Sequence, residues 1–189
     1  NKILESDLIV KSPGIPNENE LIKKIVKNKK NLLSEIEFAH SYTKAKIIAI
    51  TGTNGKTTTS LIIYKILKDA GLDVLLAGNI GNSFSYEISK RDYDIIVLEV
   101  SSFQLDNIVK FSPHISILLN ITPDHLDRYN GDLKNYIKSK LRITLNQTKN
   151  DFLIYNHDDI SFNDLKTHAK KIPISTEKEI LVDGGYYKN

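Results

Sequence analysis

A chain of 189 residues, 40% apolar and 26% charged, has the balance of a globular domain that buries a core. It contains no cysteine, which excludes disulfides, zinc–thiolate centres and thiol nucleophiles, and no run approaches the roughly 18 apolar residues of a membrane span. The net charge of +3 is modest, and its main cluster, KKIVKNKK at 23–30, lacks interleaved aromatics and reads as the wet face of a helix, so neither a nucleic acid nor a membrane is expected as a partner.

The first elements lie in DLIVKSPGIPNENELIKKIVKN. This reads as a strand, a turn fixed by Pro13, Gly14 and Pro16, and a helix capped near Asn17 with Glu20 three positions on. One such unit cannot close a sheet alone, so 1–40 is expected to be the end of a preceding domain and 41–189 a second domain. Beyond it, strands are expected at KIIAIT (46–51), DVLLAG (73–78), DIIVLEV (94–100), ISILLNI (115–121) and DFLIYN (151–156), with two further short ones at 170–175 and 179–183. Helices are expected at 56–70, 82–90, 102–110 and 132–146. Near-continuous apolar strands alternating with amphipathic stretches predict an α/β fold, a mostly parallel sheet with helices on both faces. No signal peptide opens the chain, so the cytoplasm is the expected compartment. Methionine is absent, even at the start, which points to a piece of a longer protein.

The stretch AITGTNGKTTT (49–59) follows the first strand of the second domain. A strand, a glycine turn and a helix start near Lys56 form the setting a phosphate loop requires, although a full Walker A spacing would need glycine where Ile50 stands. Gly52 and Gly55 permit close approach of backbone to phosphate, Lys56 would meet the outer phosphates and the Thr57 hydroxyl would ligate Mg²⁺. An ordinary strand–turn–helix junction is the plain alternative.

In parallel sheets ligands gather beyond the carboxyl ends of strands, and three such ends carry polar groups. LEVSSFQLD places Glu99 inside an apolar run, NITPDHLDRYN gathers Asp124, His125, Asp127 and Arg128, and LLAGNIGNS puts Asn79 between glycines. Each has a structural alternative: a satisfied core glutamate, a capped surface turn, plain turn chemistry. Spacing alone does not single out Lys140, on the last of these helices.

Six motifs taken together, SPGIP, AITGTNGKTTT, GNIGN, LEVSSFQL, NITPDHLDRY and YIKSKLRI, resemble the Mur ligases of bacterial peptidoglycan synthesis. The shortened loop is that family's form of the phosphate site. SPGIP, GNIG and SSFQL place the resemblance nearest the member that joins D-glutamate to UDP-N-acetylmuramoyl-L-alanine. The member adding the third peptide residue typically has histidine where this chain has Phe103.

The resemblance implies three domains: one for the UDP sugar, whose end is residues 1–40; a central ATP-binding domain of the P-loop type, mostly present in 41–189; and a C-terminal domain that is absent. The chain alone is therefore not expected to turn over. The implied cofactors are ATP and two Mg²⁺ ions, and a monomer is expected. By resemblance Gly52, Thr53, Asn54, Gly55, Lys56, Thr57 and Thr58 hold the nucleotide, with Lys56 on the γ-phosphate. Thr57 and Glu99 serve one magnesium; His125 and Lys140, the latter as a carbamate, serve the second. Lys56, His125 and Lys140 form the catalytic set, while Gly14, Asn79, Ser102 and Gln104 resemble contacts to the UDP-sugar substrate. The implied reaction is amide formation through an acyl phosphate. Sister Mur ligases, folylpolyglutamate synthase and a nucleotide-binding module without ligation remain open; a GTPase would show N-K-x-D, which the chain lacks.

Overall fold

A short helix α1 (Lys2–Glu5) precedes β1 (Leu8–Lys11), α2 (Glu20–Lys27) and β2 (Asn31–Ser34), in a computed structural model that describes residues 2–180 and 182–186. β1 and β2 pair in parallel, Leu8 opposite Asn31, so the first segment is a small βαβ unit with a two-stranded sheet of its own. The cap of α2 is Asn19, whose side chain accepts the Leu21 N–H, because the expected cap, Asn17, has its Oδ1 occupied by the buried Lys11 ammonium at 2.9 Å. α3 (Glu35–His40) follows at once, capped by Ser34.

The larger sheet is built mainly from the apolar runs: β3 (Lys46–Thr51), β4 (Val74–Gly78), β5 (Ile95–Glu99), β6 (Ile115–Leu118), β7 (Phe152–Asn156) and β8 (Lys170–Ser175), with a two-residue edge at β9 (Gly185–Tyr186). Their order is β4-β5-β3-β6-β7-β8-β9 and every neighbouring pair is parallel, the expected fold class. Between them run α4 (Lys56–Asp69), α5 (Phe84–Ile88), α6 (Ser102–Leu105) and α7 (Leu133–Leu141). Alternation along the strands divides the core. Ile50, Val74, Val97 and Ile117 meet Ile63, Tyr64 and Leu67 of α4 on one face. Ile47, Ala49, Ile96 and Leu98 meet α3, α5, α6 and α7 on the other, through Ile36, Phe84, Leu105 and Tyr136. Each fully buried large apolar side chain contributes on the order of 1.5–3 kcal/mol relative to exposure.

α3 lies within residues 1–40 yet packs into this larger core, with Ile36 and Ala39 fully buried. Its carboxylates reach two other segments. Glu37 accepts the N–H groups of Val109, Lys110 and Phe111 at 2.8–2.9 Å, and Glu35 accepts both Ser85 N–H and its hydroxyl at 2.7 Å.

Several elements are shorter than expected, among them α5, which spans only Phe84–Ile88 of the expected 82–90. The helix expected at 102–110 stops at Leu105, because Glu37 takes the N–H groups of 109–111 while Arg142 takes the carbonyls of Leu105 and Ile108, both at 2.8 Å. The strand expected at 115–121 leaves the sheet after Leu118, and the helix expected at 132–146 tightens to a 3₁₀ turn over Arg142–Thr144. No strand forms among the described residues of 179–183; Leu181 lies outside them, and the edge pairs at Gly185–Tyr186 instead. Among the described residues no helix is long and apolar enough to cross a membrane.

Candidate functional site

β3 lies inside the sheet, between β5 and β6, and the chain leaves its carboxyl end through Gly52–Gly55 into α4. Gly55 caps the helix at φ 83°, a left-handed conformation that side chains rarely adopt. The loop is held against the segment that follows β6. Thr53 N–H donates to the Asn120 carbonyl at 2.8 Å and Asn54 N–H to Asn120 Oδ1 at 2.9 Å, while Asn120 Nδ2 donates to the Asn54 carbonyl at 3.0 Å. The Thr53 hydroxyl donates to the Thr122 carbonyl at 3.1 Å, accepts the Thr122 N–H at 3.0 Å and lies 3.3 Å from the Tyr136 hydroxyl.

The first backbone bond of α4 runs from Thr59 N–H to the Gly55 carbonyl. Among the described residues, the N–H groups of Gly55, Lys56, Thr57 and Thr58 therefore meet no acceptor. Four successive donors lie open at the positive end of a 14-residue helix.

Two lysines converge on this loop. Lys56 Nζ donates to the Gly52 carbonyl at 3.0 Å and to that of Thr53 at 2.8 Å. Lys140, delivered by α7, donates to the same Gly52 carbonyl at 2.8 Å and lies 4.6 Å from the Tyr136 ring centroid. Lys140 is 2% exposed. Burial first, and then the Lys56 ammonium, lower its pKa to about 7, with Asp124 acting in the opposite direction. α7 is itself anchored: the Ser139 hydroxyl donates to the Ser102 carbonyl at 2.8 Å, one residue from Lys140, and Arg142 donates to the carbonyls of Leu105, the last residue of α6, and Ile108 beyond it.

Glu99, 1% exposed at the end of β5, is a satisfied carboxylate with both oxygens committed. Thr57 Oγ1 donates to its Oε2 at 2.8 Å and Asn79 Nδ2 to its Oε1 at 2.9 Å. Asn79 reaches it because Gly78 stands opposite Glu99 in the ladder, and Asn79 N–H also donates to the Glu99 carbonyl.

Lys56, Asn79, Ser102, His125, Tyr136 and Lys140 line one cavity of about 120 Å³ at this rim. His125 adopts φ 48°, with Nε2 3.5 Å from an Asp124 carboxylate oxygen and its ring 5.3 Å from that of Phe103. Two of the expected substrate contacts, Gly14 and Gln104, do not line the cavity. Gly14 sits in the turn after β1, a turn docked through Asn17 onto the Asn107 amide at 3.3 Å. Gln104 turns its Oε1 to Ser101 N–H and hydroxyl at 2.8 and 3.0 Å, closing a capping box on α6. Conversely, Asn120 and Tyr136 shape the loop without having been singled out in the sequence; Asn120 opens the NITPDH motif and Tyr136 lies one helical turn before Lys140, a spacing that places both on one face.

The donors suit the groups the sequence points to. Four open N–H groups beside Lys56 match a polyphosphate chain. The Thr57 hydroxyl and Glu99 carboxylate form an oxygen-only pair of the kind magnesium uses, its remaining positions coming from water and phosphate. A buried amine with a pKa of about 7 keeps much of its population neutral near that pH, the form that CO₂ requires.

Residues 50–180 match the sequence profile described as the Mur ligase middle domain. The chain is 46% identical over 193 aligned positions to the UDP-N-acetylmuramoylalanine–D-glutamate ligase of Christiangramia forsetii, covering 100% of this chain and 43% of that protein. It is 51% identical over 182 positions to the enzyme of the same name from Bacteroides fragilis, covering 94% and 41%. The chain thus spans about two fifths of the length of these relatives. A MurF ligase from Thermotoga maritima, solved in complex with ADP, superposes with a TM-score of 0.60 at 17% identity, over 93% of this chain and 49% of that one, and shows the shared fold.

Proposed function

From a chain that belongs to the Mur ligase family and carries its middle domain, we propose the nucleotide-binding part of an ATP-dependent ligase that adds D-glutamate to UDP-N-acetylmuramoyl-L-alanine. The observation that carries the phosphate chemistry is the row of four open N–H groups at 55–58, flanked by Lys56 and by Glu99 paired to Thr57. The choice of acceptor rests on the two relatives 46% and 51% identical. In this reading residues 1–40 complete a UDP-sugar domain, 41–189 make up most of the ATP-binding domain, and the working protein is a cytoplasmic monomer.

The substrate's carboxylate oxygen attacks the γ-phosphorus of ATP, the bond to the β,γ-bridging oxygen breaks, and an acyl phosphate and ADP result. The amine of D-glutamate then attacks the acyl carbon, phosphate leaves and the amide forms with loss of a proton. Free carboxylate and amine do not condense at neutral pH; phosphorylation supplies the leaving group. This chain's residues contribute position and charge. The N–H groups of 55–58 bind the phosphates, and Lys56 exchanges its two carbonyl partners for phosphoryl oxygens. Asn79 orients the Glu99 carboxylate, and Ser102 faces the sugar substrate across the cavity; Gly14 contributes from outside it, and Gln104 acts through the capping box that holds the start of α6 in place. Magnesium supplies charge neutralisation when bound, one ion held by Thr57 and Glu99 and a second by His125 with Lys140 in its carbamate form.

The test measures phosphate release from ATP by the full-length protein with UDP-N-acetylmuramoyl-L-alanine, adding D-glutamate, L-lysine or meso-diaminopimelate in turn. Release that needs D-glutamate is the expected outcome. Release with another amino acid moves the chain to a sister ligase, and release with none discards the ligase reading.

A further inference from the structure

We infer that Asn120 is a positioning residue for the nucleotide phosphates, an assignment that rests on the proposed ATP binding at the loop. Its carboxamide pairs with both main-chain groups of Asn54, accepting the N–H at 2.9 Å and donating to the C=O at 3.0 Å, while its own main-chain carbonyl accepts Thr53 N–H at 2.8 Å. β6 has ended at Leu118, so this is strand-like pairing performed partly by a side chain, beyond the edge of the ladder. A Cβ added at Gly52 would lie 2.9 Å from Leu119 Cβ and 3.3 Å from Asn120 N and O, so the two segments already touch and the loop cannot slide past.

The effect is directional. A phosphate loop works when several N–H groups point at one place, and any donor facing elsewhere must be satisfied elsewhere. Asn120 removes the Thr53 and Asn54 donors from the set and fixes the two peptide planes that flank the Asn54 Cα. The next four donors, 55–58, then start the helix with nothing to meet but a ligand. Only a carboxamide of this length performs both halves of the pairing. Aspartate can accept the Asn54 N–H but sets a negative oxygen against the Asn54 carbonyl; alanine does neither. Asn120 does not line the cavity with Lys56 and Lys140 and so acts through the loop.

The experiment compares full-length wild type with Asn120→Asp and Asn120→Ala, by calorimetric titration with ATP and magnesium and by steady-state kinetics, with Lys56→Ala alongside. Both Asn120 variants are expected to raise the KM and Kd for ATP about tenfold or more, with kcat lowered less than about threefold and the KM for the amino-acid acceptor within about twofold of wild type. Asn120 is only half-buried, so the nucleotide-free melting point is expected to stay within a few degrees. Unchanged ATP affinity overturns the assignment, as does an equal loss of affinity for every substrate. Collapse of both variants also overturns it, since Asn120 would then be a residue of the fold. If wild type itself fails to bind ATP, the nucleotide reading falls; if wild type binds and the Asn120 variants bind equally well, only this inference falls.

Discussion

Two stretches at the same rim of the sheet are built in opposite ways. Residues 52–58 are tied from outside by Asn120, Thr122 and Tyr136, and their open donors are main-chain groups. Residues 124–128 offer side chains: His125 stands on a left-handed backbone with its side chain 57% exposed, and Asp124 beside it is 44% exposed. Main-chain donors fixed before the ligand arrives suit a phosphate, whose shape never varies, and cost no reorganisation at the moment of reaction. The side chains at the other stretch are held by near neighbours, His125 by Asp124 and Arg128 over the Phe103 ring.

The sharpest attempt to break this contrast is Lys56→Ala. It removes the one mobile cation of the prebuilt loop and is expected to lower ATP-dependent phosphate release by about 10³-fold at saturating nucleotide. A rate within about tenfold of wild type would show that the backbone donors suffice alone. Lys140→Ala is expected to cost about 10²-fold or more. Short carboxylates such as formate or acetate should restore part of that rate by standing in for the oxygens of the proposed carbamate, and failure to do so would reduce Lys140 to a structural cation. His125→Ala, at the open stretch, is expected to cost about 10–100-fold and to raise the magnesium concentration needed for half-maximal rate, with no change in nucleotide-free melting point.

The smallest effect concerns stability. The folded pKa of Lys140 is lowered from 10.5 to about 7, so between those values the unfolded chain holds a proton that the folded chain has released. Stability therefore rises with pH across that window, and below it the buried ammonium costs the folded state throughout. Lys140→Met should erase this rise of stability with pH. Urea unfolding of nucleotide-free protein at pH 6, 8 and 10 should show the variant's gain over wild type largest at pH 6; a gain independent of pH would mean that the lysine titrates normally.

The strands β3 to β8 were legible because each is a largely apolar run bounded by polar or turn residues, and β3 matches its expected limits at Lys46–Thr51. The loop was legible through Gly52, Gly55 and Lys56, and Glu99 through its place inside an apolar run. What escaped was set by distant partners. Glu37 stands three residues after the cap Ser34, the spacing of a capping box, yet its carboxylate crosses to 109–111 and helps to end another helix. β2 is a four-residue strand with little pattern to read. Asn120 looks like an ordinary strand-end asparagine until Asn54, 66 residues earlier in the chain, lies against it. Lys140 gave no local signal, since a lysine on a helix is normally wet.

A buried lysine usually escapes its predicament by stretching, its four methylenes carrying the ammonium out to water. Here the helix beneath Lys140 is moored on both sides, Ser139 to the Ser102 carbonyl and Arg142 to those of Leu105 and Ile108. With travel denied, the amine is held beside the Gly52 carbonyl, and the freedom left to it is chemical, shedding a proton or accepting a new bond. The mooring of α7 thus converts a mechanical degree of freedom into a chemical one, in the cavity where Lys56 and Asn79 already converge.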